Sequence, residues 1–269
     1  MQIESPVRRV RHELVPRRLT VRRVESVTPR YRRVALAGEE LAGFASVGPS
    51  DHAKVFFPPP GGGPVPMPVI VAGRWANRAD EALTARDYTV RTFDPSAGEV
   101  VLDFVVHEHG PAGRWAAQAT PGQELGLLGP RGSAVPPLDR ARYVLAADET
   151  GLPAVLNWLD RLPAGAHADV LVEVQDSADE IPLTSAATTE VTWLHRAGAA
   201  PGTTTLLVDA VVALDLTPAD LWVWAGAEAS SVRGIRAHLA ERGVGSGHSA
   251  MTGYWRRGVA NFDHHSPEA

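Results

Sequence analysis

Residues 85–95, ARDYTVRTFDP, place an arginine two positions before a tyrosine on a segment that reads as a strand. Tyr88, Thr89 and Val90 favour extended backbone, and Asp94-Pro95 supplies a turn. Strand side chains alternate between faces, so Arg86, Tyr88 and Val90 share one face while Asp87, Thr89 and Arg91 share the other. An arginine fork suits a phosphate or diphosphate, and a tyrosine beside it can cover a planar ring or bond a ribose. The plainer alternative is a surface salt bridge beside a half-buried tyrosine.

A second group is DFVVHEHGPAGRWA, residues 103–116. Asp103, Val105 and His107 share a strand face. The chain then turns through Gly110-Pro111-Ala112-Gly113 into a helix start at Arg114-Trp115, where bare backbone N–H groups suit an anion. His107 and His109 could ligate a metal, but no third ligand lies nearby, and a polar strand end explains them as well. A third group is DETGLP, 148–153. It sits between a strand and a helix, the crevice where open α/β sheets bind nucleotides. Asp148, Glu149 and Thr150 suit that crevice, or simply cap the helix that follows. Gly226, Glu228 and Ser231 hold the equivalent place at a later strand-to-helix turn. The acidic pair is an awkward neighbour for nucleotide phosphates, and no G-x-G-x-x-G is present, which disfavours a dehydrogenase-type site.

The elements that must carry these groups fall into two grammars. Residues 19–27, 31–37, 52–58, 87–93, 100–108 and 124–130 read as six strands with Gly/Pro punctuation, which predicts a small antiparallel barrel. The excursion 59–84 is irregular, with a short helix expected near its end, and 112–120 reads as a turn or two of helix. Residues 133–142 read as a linker. Beyond it, apolar runs at 142–148, 168–174, 190–196 and 220–227 alternate with helical stretches such as 151–162 and 229–243, which predicts a parallel sheet covered on both faces. The expected fold is therefore two-domain, β plus α/β: an antiparallel β-barrel over 15–135, a doubly wound parallel-sheet domain over 141–256, and a tail over 257–269.

Composition narrows the chemistry. The 269 residues are 44% hydrophobic and 21% charged, the balance of a folded protein. There is no cysteine, so disulfides, thiolate nucleophiles and cysteine-ligated metal clusters are excluded, and redox chemistry needs a bound cofactor. The N-terminus has no apolar core of signal-peptide type, and no run approaches the roughly 18 apolar residues of a membrane span. The expectation is a cytoplasmic monomer without membrane insertion. Residues 8–33 are dense in arginine, alternating with Val, Leu and Tyr, as on the wet face of an antiparallel sheet, and no nucleic-acid partner is expected. Lys54 is the chain's single lysine. His264 and His265 look metal-like, but a frayed tail is the simpler reading, and no metal site is expected.

RDYTVR (86–91) followed by HEHGPAGRWA (107–116) resembles the flavin-binding signature of the siderophore-interacting proteins, a branch of the ferredoxin-reductase-like flavoenzymes. The resemblance continues through GPRGS (129–133), ADETGLPAV (147–155), WAGAEASSVRGIRAHLAERG (224–243) and GYWRRG (253–258), in order and over nearly the whole chain. It implies an FAD-binding barrel followed by a pyridine-nucleotide domain. By position, Arg86 would meet the FAD diphosphate, Tyr88 would lie against the isoalloxazine and ribityl region, and Thr89 would sit near flavin N5. Asp103, Val105 and His107 would line the rest of the FAD site. Gly110, Ala112, Gly113, Trp115 and Ala116 would belong to the turn that cradles its phosphates. Asp148, Glu149, Thr150, Gly226, Glu228 and Ser231 would meet NADH or NADPH. Many relatives carry serine where Gly113 stands, which puts a hydroxyl contact to phosphate in question. The family acts on ferric siderophores, often anionic, and Lys54, Arg131 and Arg256 would form a basic substrate rim, unless they are ordinary solvated charges. Trp255 would pack over the flavin or nucleotide site. The implied activity is FAD-dependent reduction of ferric siderophores, with NAD(P)H or a ferredoxin-type carrier as donor. A general NAD(P)H:flavin or quinone reductase and a non-catalytic flavin-bearing siderophore-binding protein are the alternatives.

Overall fold

The computed structural model describes residues 7–108, 110–217 and 220–263; His109, His264 and His265 lie outside them. The chain divides into two compact units at residues 136 and 137.

The first unit comprises β1 (Arg8–Arg11), β2 (Pro16–Thr28), β3 (Tyr31–Ala37), β4 (His52–Phe56), β5 (Ile70–Val71), β6 (Arg74–Trp75), β7 (Ala85–Asp94), β8 (Glu99–Val105), α1 (Pro111–Ala117), β9 (Glu124–Leu128) and β10 (Gly132–Val135). Six of the strands close into a barrel in the order β2-β3-β8-β7-β4-β9, and each neighbouring pair is antiparallel. Alternation builds the interior. Leu19, Val21, Val34, Leu36, Val55, Val90, Leu102, Phe104, Leu125 and Leu127 form its core, and Ala112, Trp115 and Ala116 of α1 complete it.

Three local expectations are corrected here. Residues 76–84 form consecutive turns, with Asp80 N on Asn77 O (3.1 Å) and Leu83 N on Asp80 O (3.0 Å), and not a helix. Residues 133–135 are not linker but strand, because β10 pairs with β1 outside the barrel. The arginine run is not uniformly wet either. Arg17 is only 3% exposed and lies 5.3 Å over the ring of Phe44, its stem packed inward while Nη1 donates to Val15 O at 3.0 Å.

The second unit comprises β11 (Arg142–Asp148), α2 (Leu152–Leu159), β12 (His167–Val174), β13 (Thr188–His195), α3 (Leu206–Val212), β14 (Leu221–Glu228), α4 (Ala229–Glu241) and β15 (Ser249–Trp255). The sheet is wholly parallel in the order β13-β12-β11-β14-β15. Val144, Ala146, Val223 and Ala225 pack against Leu207 and Val211 of α3 and Val232, Ile235 and Leu239 of α4. The alternate residue Tyr143 faces the other way, its ring 5.9 Å from that of Trp158 on α2. Helices thus cover both faces, as the continuous apolar runs predict. β15 was not foreseen as a strand. The order reverses between β11 and β14, which places the binding crevice beyond their C-terminal ends.

Candidate functional site

In the barrel unit, β7 pairs with β4 so that Tyr88 faces Ala53, Asp87 faces Lys54 and Arg86 faces Val55. Ala53 and Val55 belong to the core, so Arg86 and Tyr88 lie on the inner face, as their spacing implies. The Tyr88 ring lies 4.3 Å from that of Phe104, tilted by 40°. Arg86 is half-buried and donates from Nη1 to Ala85 O at 2.6 Å. Burial lowers its pKa, while Tyr88 and Asp87 pull it back up, and a guanidinium so far above neutrality stays charged. Thr89 is buried, opposite His52. Alternation ends at a bulge between Val90 and Thr92, which explains Arg91: it occupies the irregular position, with its Nε buried, and is not a simple solvated charge.

The start of α1 supplies an anion-friendly surface. Gly110 enters at φ 81°, Pro111 takes the first helical place, no side chain caps the first turn, and no acidic residue lies in it. Ala112, Trp115 and Ala116 are buried, with Trp115 stacked 5.8 Å from Phe57 and 5.4 Å from Phe104. Their side chains therefore face the core, and only their backbone is offered to a ligand. Asp103 is corrected more strongly. It is 3% exposed, and Arg33 grips both its oxygens at 2.8 Å from the register-paired position on β3. This ion pair ties β8 to β3. β8 ends at Val105, so His107 is past the strand and does not share its face. Its ring instead packs on Gly113: a Cβ there would lie 2.5 Å from His107 O and 2.7 Å from its Cδ2. Gly113 is required here, and a serine has no room.

Of the expected basic rim, Lys54 donates to both oxygens of Asp87, at 2.9 and 2.8 Å. Arg131 lies between the Gly129-Pro130 peptide and β10; its carbonyl accepts from His12 N at 3.0 Å, and its exposed side chain makes no hydrogen bond or ion pair with a described residue. Arg256 belongs to the second unit, just past β15.

In the second unit, a small cavity opens at the reversal point, lined by Asp148, Glu149, Glu173, Arg196, Gly202, Glu228, Ser231 and Trp255. Asp148, the last residue of β11, accepts from Thr150 N (2.9 Å), Thr150 Oγ1 (2.5 Å), Glu228 N (2.9 Å) and Trp255 Nε1 (2.8 Å). It knots β11, β14 and β15 together. Burial pushes its carboxyl up despite these donors. Glu149 pairs with both terminal nitrogens of Arg196, which also stands 3.6 Å from Glu173. Burial raises Glu149 as well, against the pull of Arg196. Glu228 caps α4 through Ser230 N (2.5 Å) and Ser231 N (3.4 Å) and accepts from Ser230 Oγ and Arg257 N. Burial opposes its ionisation, but these donors outweigh it and hold its pKa down. Gly151 permits the approach of the two turns, since a Cβ there would lie 2.1 Å from Gly226 O. The capping alternative thus accounts for Asp148, Thr150 and Glu228. Glu173 and Arg196 were not foreseen, because no spacing signal links Arg196 to Glu149, 47 positions away.

A closed antiparallel barrel followed by a doubly wound unit is the fold shared with a ferredoxin NADP+ reductase from Neisseria gonorrhoeae, which superposes with a TM-score of 0.60 at 13% identity over 89% of this chain and 99% of that one. The comparisons with known proteins narrow this. Residues 20–134 match the siderophore-interacting FAD-binding domain, and residues 140–258 match the siderophore-interacting protein family. The NADPH-dependent ferric-chelate reductase of Escherichia coli is 37% identical over 84% of this chain and 87% of its own. The ferric vibriobactin reductase of Vibrio cholerae is 34% identical over 67% of each. The solved structure of a siderophore utilization protein from T. fusca superposes with a TM-score of 0.92, at 45% identity, over 96% of this chain and 100% of that one. The chain belongs to the siderophore-interacting protein family.

Proposed function

We propose that this protein is an FAD-dependent reductase of ferric siderophores that draws electrons from NAD(P)H and releases Fe(II). The observation that carries the reading is its 37% identity, across both units, to a ferric-chelate reductase. The barrel's donor set fits FAD. A half-buried guanidinium, an aromatic ring on the same face and an uncapped helix start suit a diphosphate joined to a planar ring system. When bound, FAD supplies the conversion of an electron pair into single-electron transfers.

The chain's own residues bind and orient. Arg86 would pair with the diphosphate of bound FAD, and the first-turn N–H groups around Gly110–Gly113 would share it. Tyr88, held against Phe104, would support the ring system of bound FAD, and Thr89 would tune flavin N5 through a hydrogen bond and not act as a base. On the barrel unit Arg131 would attract an anionic ferric chelate, and Lys54 would do so in competition with Asp87; Arg256, on the second unit, would add to the positive field there. The crevice beyond β11 and β14, beside Ser231 and the first turn of α4, would receive the nucleotide, while Glu149, Glu173 and Arg196 are engaged with one another. A ferredoxin-type carrier is the alternative donor, and the reaction takes place in the cytoplasm. No helix among the described residues is long and apolar enough to cross a membrane. Fe(II) is held less tightly than Fe(III) by hard oxygen ligands, so reduction is release.

The test is to purify the protein, confirm the flavin spectrum, and reduce it with NADH or NADPH. A ferric siderophore is then added and Fe(II) trapped with a chromogenic chelator. A protein without flavin contradicts the proposal. Rapid flavin reduction without Fe(II) leaves the general reductase standing.

A further inference from the structure

We propose that His167, Asp169 and Glu190 form a binding site for one divalent first-row transition-metal ion. They stand at the N-terminal ends of β12 and β13, at the opposite end of the sheet from the crevice. His167 and Asp169 are two apart on β12 and share a face, and Glu190 is the register partner of Asp169 on β13. One ligand atom from each lies within 4.8 Å of the others.

Two features favour an ion over a chance grouping. The first is charge. Carboxylates directly opposite each other on neighbouring strands repel. Arg142 serves only Asp169 of the pair, its Nε 2.8 Å from Oδ2, while Nη1 is spent on Asp215 O at 2.6 Å. The Glu190 side chain makes no hydrogen bond or ion pair with any described residue. A cation between the two carboxylates resolves the repulsion. The second is geometry. Asp169 is only 5% exposed and is held by Arg142 at Oδ2, so Oδ1 stays directed at His167 Nε2, 3.4 Å away. An outer partner that orients a ligating carboxylate is the usual support of a metal centre. His167 and Glu190 are more exposed, and rotation of their side chains can close the spacing to bonds of about 2.0–2.2 Å. Arg142 opposes a cation, but two carboxylates outweigh one guanidinium.

One imidazole nitrogen and two carboxylate oxygens, without sulfur, suit Zn(II), Co(II), Mn(II) or Fe(II). The site stands independently of the reductase reading.

The experiment uses metal-stripped, tag-free, full-length protein, titrated with Co(II) by visible absorption and with Zn(II) by calorimetry. Parent, His167→Ala and Glu190→Gln are compared. The expected result is one equivalent bound by the parent and at least about tenfold weaker binding in each variant. Circular dichroism and metal-free Tm should not change. A parent that takes up no ion overturns the proposal. So do variants that bind as tightly as the parent, since the ion would then sit on histidines elsewhere.

Discussion

Replacing Gly113 by serine should harm this protein. The Cβ would stand 2.5 Å from His107 O and 2.7–2.8 Å from the His107 ring carbons Cδ2 and Cγ. Atom pairs closer than 3 Å cannot persist, so α1 must tilt or the segment after β8 must move. Both are tied to the core through Ala112, Trp115 and Phe104. Overpacking of this kind costs about 1–3 kcal/mol. For a barrel of this size that is a loss of roughly 3–12 °C in Tm. The same movement disturbs the turn proposed to hold the FAD diphosphate, so the ratio of flavin to protein absorbance should fall with it. The ring and the carbonyl can be told apart. His107→Ala alone should be nearly neutral, because the ring is exposed. Gly113→Ser in the His107→Ala background should remain destabilised, because the carbonyl contact persists. A Gly113→Ser protein with unchanged Tm and full flavin refutes the reasoning. Rescue by His107→Ala shows that the ring, not the backbone, sets the limit.

Three other outcomes follow from the geometry. Arg86→Ala should lower FAD content on gel filtration with the fold intact, and Arg86→Lys should restore it only in part, since an ammonium cannot make the fork's paired bonds. Lys54→Ala should change stability by no more than about 1 kcal/mol, since its ion pair is partly exposed. If Lys54 serves the substrate, that change should raise KM for an anionic ferric siderophore, and Asp87→Asn, which releases the lysine, should lower it. Burial raises Glu149 above its ordinary value of 4.5, so its contribution to stability is fully present below that value and is lost as pH rises through the folded pKa. The urea midpoint of Glu149→Gln should therefore fall less steeply than that of the parent as pH rises from about 4.5.

Much of the fold is legible in the residues, because barrel strands alternate and parallel strands run apolar. β11 begins and ends where the run 142–148 does. What escapes has a physical reason. β1 is arginine-rich and mostly exposed, so nothing in its composition announces a strand; its partner β10 supplies the hydrogen bonds. Asp103 is placed in the FAD site by resemblance alone, and nothing in its own segment shows that Arg33 waits on the next strand, 70 positions away. Trp115 reads as part of the cradle because its turn is; the helix rotates its side chain into the core. Arg86 and Tyr88 survive as candidates because two-residue spacing alone sets their shared face. The Glu149–Arg196–Glu173 cluster depends on parallel strands brought together only by the fold, which spacing cannot show.

The central claim is tested most directly by electron counting. Under anaerobic conditions, a limiting amount of NADH or NADPH is added to the flavin-loaded protein with excess ferric siderophore and an Fe(II) trap. A nucleotide delivers an electron pair and Fe(III) accepts one electron, so about two Fe(II) should be trapped for each nucleotide oxidised. Nucleotide oxidation with no Fe(II) formed, or no oxidation of either nucleotide, would contradict the account.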